Sequence, residues 1–181
     1  QSACALRSAV ADSWECRQFC DHGSTRTIRE SARPPETMET EGSHFVKTDH
    51  PIDLISLSPK FGNSVPRPGI ATPRGQIADQ RFISTHNQYR LNHDAIRKTL
   101  EYHSDYHLKP VIDKEQMVLG ELNEFIEIHT IPNEKVWLMP AGDTREELIL
   151  AYPVIIKLAL KRGWNFTGRP HIIAYDTQRG V

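Results

Sequence analysis

With 181 residues, 25% of them charged, and a formal net charge of −1, the chain is long enough for one domain with a sizeable core. Its charge balance gives no electrostatic ground for a polyanion partner, so nucleic acid is not expected. No apolar run approaches the roughly 20 residues that a membrane span needs, so no membrane partner is expected either.

The N-terminal stretch "QSACALRSAV" lacks a basic n-region and a long apolar h-region, so it does not read as a signal peptide. It also lacks an initiator Met, as a fragment would. Cys4, Cys16 and Cys20 are the three cysteines of the chain. Their odd number argues against a secreted disulfide framework and favours a reducing, cytoplasmic setting. Residues 1–37 are poorly patterned, with a short helix expected in "LRSAVADSWECRQF", where Leu6, Val10, Trp14 and Phe19 fall near one face.

From Met38 onward the pattern is orderly. "IDLISLS" (52–58) reads as a buried strand. A long loop with Pro66, Pro68 and Pro73 follows over 61–80, and loops of that length are commonly functional. "NQYRLNHDAIRKTLEYH" (87–103) reads as a helix and "HLKPVID" (107–113) as a strand. Asp113 and Gln116 have capping-box spacing for a helix running to about Ile128, with Val118, Leu122, Phe125 and Ile126 as its buried stripe. "KVWLMP" (135–140) is the next strand. Asp143 and Glu146 have the spacing of a second capping box, for a helix that Pro153 should kink or divide and Gly163 should end. "PHIIAYD" (170–176) reads as a last strand.

Strands alternating with helices predict an α/β fold with a mostly parallel sheet, doubly wound or part of a barrel. Both arrangements gather ligands at the C-terminal strand ends. That rule selects "LSPK" (57–60), "VIDK" (111–114) and "MPAGD" (139–143). Ser58, Pro59 and Lys60 could hold a carboxylate or a ribose at such a rim; alternatively, Pro59 starts a turn and Lys60 is solvated. The Pro and Gly of "MPAGD" let backbone approach a flat ring or phosphate, though they also make an ordinary strand-to-helix turn. Glu39 and Glu41 would share one strand face, as paired carboxylates or as a solvated edge. His103 and His107 have metal-ligand spacing but fall where a helix should end, so no metal site is assigned. His86 and His171 are single histidines, and His171 lies close to Arg169 at the start of the last predicted strand. No phosphate loop, nucleophile elbow or dinucleotide fingerprint occurs.

In combination, "METEGS", "DLISLSPKFGNS", "HLKPVID", "VWLMPAGDT" and "RPHIIAYDTQRGV" have the order and spacing of the 7-carboxy-7-deazaguanine synthase family. The chain resembles the C-terminal two thirds of that family over residues 38–181. The resemblance implies a radical S-adenosylmethionine enzyme of queuosine biosynthesis, folded as a reduced (β/α) barrel and often homodimeric. Such a lyase converts 6-carboxy-5,6,7,8-tetrahydropterin to 7-carboxy-7-deazaguanine with loss of ammonia. It uses a four-iron four-sulfur cluster, S-adenosylmethionine and Mg²⁺. By the same resemblance, Ser58, Pro59 and Lys60, together with Met139, Pro140, Ala141 and Gly142, contact S-adenosylmethionine. Thr40 and Gly42 lie in the segment between cofactor and substrate, where Ser43 replaces the family's Thr. Thr40, His171 and Val181 are then candidate substrate contacts, and the loop 61–86 is placed to be a lid.

The front of the chain departs from this pattern. The family spaces its cluster cysteines Cys-x-x-x-Cys-x-x-Cys, so that three thiolates meet one cubane. Here 11 residues separate Cys4 from Cys16 and three separate Cys16 from Cys20. No Gly-Gly-Glu-Pro counterpart occurs, and only 18 residues lie between Cys20 and Glu39. Residues 1–37 are therefore expected to lie outside the family fold, as a frameshifted, misjoined, truncated or replaced front end. No cluster is expected, and these 181 residues are expected to be inactive. Without the front strands the sheet would also present an unpaired edge. The alternatives are a non-catalytic S-adenosylmethionine-binding or interaction module, and a different α/β enzyme sharing only the architecture.

Overall fold

Among the described residues, six short strands with parallel pairing organise the fold. The computed structural model describes residues 33–70 and 77–178. The predicted helix in 6–19, the three cysteines and Val181 lie outside the described residues. The strands are β1 (Thr37–Thr40), β2 (Leu54–Leu57), β3 (Tyr106–Leu108), β4 (Val111–Ile112), β5 (Trp137–Pro140) and β6 (Asn165–Phe166). The helices are α1 (Gln80–Tyr89), α2 (His93–Tyr102), α3 (Leu119–Ile128), α4 (Arg145–Arg162) and α5 (Pro170–Tyr175).

β1-β2-β3 and β4-β5-β6 form two three-stranded sheets, joined by a parallel bridge from Leu108 to Val136. The strand order advances in one direction, as around a barrel, without the reversal of a doubly wound sheet. Among the described residues the sheet does not close, and β1 has a strand partner on one side only. The fold is thus α/β with parallel strands in an open array.

Alternation along the strands builds the core. Ile55, Leu57, Leu108, Ile112 and Leu138 are fully buried and pack with Ile96, Leu122, Phe125, Ile155 and Leu158 from α2, α3 and α4. The sheet residues between them point to the opposite face.

Several expectations need correction. The helix predicted over 87–103 is two helices, α1 and α2. Each has its own cap: Asp79 accepts from the Phe82 N–H at 2.7 Å, and Asn92 from the Ala95 N–H at 3.2 Å. The start of α1 at Gln80 also shortens the predicted loop. "HLKPVID" is two strands, because Pro110 has no N–H for a ladder, and β3 and β4 belong to different sheets. Asp113 does not cap α3; its Oδ1 accepts from the Met117 N–H at 3.1 Å, and Gln116 has φ 58°, which holds the chain out of a helix until Leu119. The capping box of α4 is Thr144–Glu147, one residue later than Asp143–Glu146. Pro153 does not divide α4, which runs unbroken to Arg162 with Pro153 on its exposed side. The predicted last strand is the helix α5, with Pro170 at its first position, where proline's fixed φ suits a helix. The last strand is instead β6.

Candidate functional site

The C-terminal strand ends form a rim. β1 runs into Glu41-Gly42-Ser43, β2 into Ser58-Pro59-Lys60, β4 into Asp113, β5 into Ala141-Gly142, and β6 into Thr167. The Ser58 N–H donates to the Thr40 carbonyl at 2.8 Å, and the Ala141 N–H to the Ile112 carbonyl at 2.8 Å, so neighbouring ends stay in register. Gly42 turns with φ 77° beneath α2, and its N–H donates to Thr40 Oγ1 at 3.1 Å.

Among the described residues, three clefts open on the rim. The first, of about 220 Å³, lies between the ends of β1 and β2 and the helix α1, with Glu41, Ser43, Lys60, His86 and Tyr89 on its walls. Burial, reinforced by the charge of Arg90, lowers the pKa of His86, and its Nδ1 has no partner among the described residues. Its neutral ring suits a hydrogen-bonding wall. The second, of about 260 Å³, lies between Asp113–Glu115, Ala141, Gly142 and α4. The third, of about 450 Å³, shares Asp113 and Ala141 with it and extends to Gly62, Asn63 and Glu121.

The predicted site residues divide between these clefts. Lys60 lines the first, and Ala141 and Gly142 line the second. Pro59 and Pro140 are buried, and Met139 is half-buried. Ser58 Oγ is buried without a partner among the described residues, as a group awaiting a ligand or a water would be. The Gly142 carbonyl accepts from Arg169 Nη1 at 2.7 Å. A Cβ on Gly142 would sit 2.9 Å from Leu148 Cδ2, so glycine permits this close turn. Of the two readings of Glu39 and Glu41, the paired one fails, because β1 ends at Thr40 and the two carboxylates border different cavities. His171 is exposed on α5, not on a strand.

His103 and His107, which have metal-ligand spacing in sequence, stand on different elements. His103 ends α2 and His107 sits on β3, and no group of three or more potential metal ligands converges among the described residues. The role of His103 is structural. Its Nδ1 accepts from the Ile52 N–H at 3.0 Å, which places the neutral ring's proton on Nε2. Burial lowers its pKa. The unfolded chain takes up this proton near pH 6.5 while the folded chain resists it, so the stability that His103 contributes is present above pH 6.5 and lost as pH falls below it. His103→Gln is expected to flatten stability against pH below about 6.5, measured by urea unfolding at a series of pH values. An unchanged pH slope would refute this role.

One feature of the sheet was not anticipated. Its open face carries Thr37, Glu39, Ser56, His107, Lys109 and Trp137 around a concavity of about 400 Å³. The Trp137 and His107 rings lie 4.9 Å apart, and Lys109 Nζ is 3.6 Å from Glu39 Oε1. Ser56 Oγ and Trp137 Nε1 are buried without partners among the described residues. The signal was present in the alternation: Ser56, His107 and Trp137 are the odd members of apolar strands, as residues facing a barrel interior are.

Comparison with known proteins gives one consistent result. The chain is 32% identical over 146 residues to a 7-carboxy-7-deazaguanine synthase of Halobacterium salinarum, covering 77% of this chain and 54% of that protein. It is 29% identical over 146 residues to a 7-carboxy-7-deazaguanine synthase of Rhodopirellula baltica, covering 80% of this chain and 52% of that protein. The chain therefore resembles 7-carboxy-7-deazaguanine synthase and spans about half the length of the curated relatives it matches. No protein-family profile matches it, and no solved structure matches it significantly.

Proposed function

We propose that this chain carries the C-terminal part of a 7-carboxy-7-deazaguanine synthase-type site, and that these 181 residues alone do not complete the reaction. The similarity to two such synthases over 146 residues carries this reading. The unpartnered Ser58 Oγ and the Lys60-lined cleft support S-adenosylmethionine contacts at Ser58–Lys60; Gly42 and Met139–Gly142 are the other proposed contacts. Thr40, His171 and Val181 remain the proposed substrate contacts. The rest of the reading is a small pterin substrate, a cytoplasmic setting, a homodimer, and queuosine biosynthesis as the pathway.

The fit is unequal among the cofactors. The strand ends suit a nucleoside, since the Ser58 hydroxyl, without a partner among the described residues, and the Lys60 side chain stand there. An iron–sulfur cluster does not fit, because residues 33–178 contain no cysteine and the three upstream cysteines lack the family's spacing. For Mg²⁺ no converging ligand group occurs among the described residues. No radical step is assigned to this chain. The same observations favour a second reading, a non-catalytic S-adenosylmethionine-binding module.

Anaerobic reconstitution with iron and sulfide tests the inactivity. The expected result is no stoichiometric cluster and no cleavage of S-adenosylmethionine, and cleavage by reconstituted protein would refute it. Calorimetry with S-adenosylmethionine tests the binding, and absence of binding would favour an unrelated α/β protein.

A further inference from the structure

Directly after Ser58-Pro59-Lys60, the rim segment turns through Phe61 into a 3-10 turn at Gly62–Ser64. Two charged groups from separate helices meet on that turn. Arg90, at the C-terminal end of α1, donates from Nη1 to the Lys60 carbonyl at 3.2 Å and to Glu121 Oε1 at 2.5 Å. Glu121, in the first turn of α3, accepts the Gly62 N–H on Oε2 at 2.6 Å. The side chains are only 20% and 26% exposed. A Cβ on Gly62 would lie 3.3 Å from Glu121 Oε2, so glycine permits the carboxylate to sit this close. Asn63 adds a bond from Nδ2 to the Val111 carbonyl at 2.9 Å.

We infer that Arg90 and Glu121 are positioning residues that clamp the Lys60–Gly62 rim and thereby set ligand affinity at the first cleft. This inference rests on the proposed nucleoside site, but the clamp itself can be read without any ligand. The chain of bonds runs Lys60 carbonyl, Arg90 guanidinium, Glu121 carboxylate, Gly62 amide. The two backbone groups have opposite polarity, so each side chain is matched to its own end. Arginine donates to a carbonyl and a carboxylate accepts from an N–H, and neither can take the other's place. Bonds involving an ionised partner are also the stronger class. An ordinary interhelical ion pair would need only the two opposite charges.

That difference supplies the test. In full-length protein, Glu121→Ala is expected to raise amide exchange over residues 60–64 at least tenfold, leaving β2 and the interior of α3 protected. It is also expected to weaken S-adenosylmethionine binding, measured by calorimetry, by about tenfold or more. Should Glu121→Ala fold poorly, Glu121→Gln, which keeps one acceptor oxygen, is expected to give a smaller change in the same direction.

The exchanged pair Arg90→Glu with Glu121→Arg is expected to recover thermal stability but neither loop protection nor affinity. Recovery of all three would overturn the inference, because the pair would then be merely structural. Unchanged exchange over 60–64 in Glu121→Ala would overturn it as well. If wild-type protein binds no S-adenosylmethionine while Glu121→Ala still opens the loop, the clamp stands and the nucleoside reading falls.

Discussion

Replacing Phe61 by alanine is expected to lower the unfolding free energy by about 3–5 kcal/mol. Phe61 is 1% exposed and stands immediately after the Ser-Pro-Lys segment. It meets Phe125 of α3 edge to face, with ring centroids 5.6 Å apart and planes at 83°. The loss has two parts, the transfer of a large apolar side chain and the cavity that α3 and the sheet cannot close. The aromatic pair adds about 0.5–1.5 kcal/mol of its own. In a double-mutant cycle, Phe61→Ala with Phe125→Ala should therefore cost less than the two single changes together. Urea denaturation measures all three proteins. A loss below about 1 kcal/mol for Phe61→Ala would mean that the rim is not docked on α3, since full burial of such a side chain alone is worth more.

Gly42→Ala should be the other severe change, costing about 2–4 kcal/mol, for two reasons that add. Gly42 has φ 77°, a region where an L side chain meets its own backbone. The new Cβ would also lie 2.6 Å from Ile96 Cγ1 and 3.0 Å from Leu57 Cδ1, both fully buried. Gly69 is the internal control. It has φ 76°, but a Cβ there would meet nothing within 4 Å among the described residues, so Gly69→Ala should show the backbone cost of about 1–2 kcal/mol alone. Equal losses at the two positions, again by urea denaturation, would show that α2 packs against the end of β1 more loosely than these distances require.

Much of the fold was legible in short-range pattern. The apolar run around Leu54–Leu57, the strand ending in Pro140 and the glycine cap at Gly163 all stand where their residue types place them. The misread elements have separate causes. "HIIAY" is too short for periodicity to separate strand from helix, and only Pro170 at the first helical position marks it as α5. In "HLKPVID" the apolar residues suggested one strand, but Pro110 cannot continue a ladder, so the chain passes from one sheet to the next. The two capping-box spacings at Asp143–Glu146 and Thr144–Glu147 are equivalent in sequence, and packing of α4 selected the second.

The candidate site was legible to a smaller degree. The rule that ligands gather at C-terminal strand ends led to Lys60, Ala141 and Gly142, and all three do line clefts on the rim. It did not reveal that Lys60 lies apart from Ala141 and Gly142, in a separate cleft under α1. Local periodicity sets strand, helix and the buried side of each, because the chain's own geometry repeats every two or 3.6 residues. The family likeness was also legible in the sequence, since it rests on short segments in a fixed order. Tertiary structure alone decided which polar groups meet. Arg90 and Glu121 are 31 positions apart, Ser56 and Trp137 share a face only through two sheets, and His103 reaches the Ile52 N–H across 51 positions. A hydrogen bond of about 3 Å depends on coordinates that no periodicity encodes, so these contacts appear only once the chain has folded.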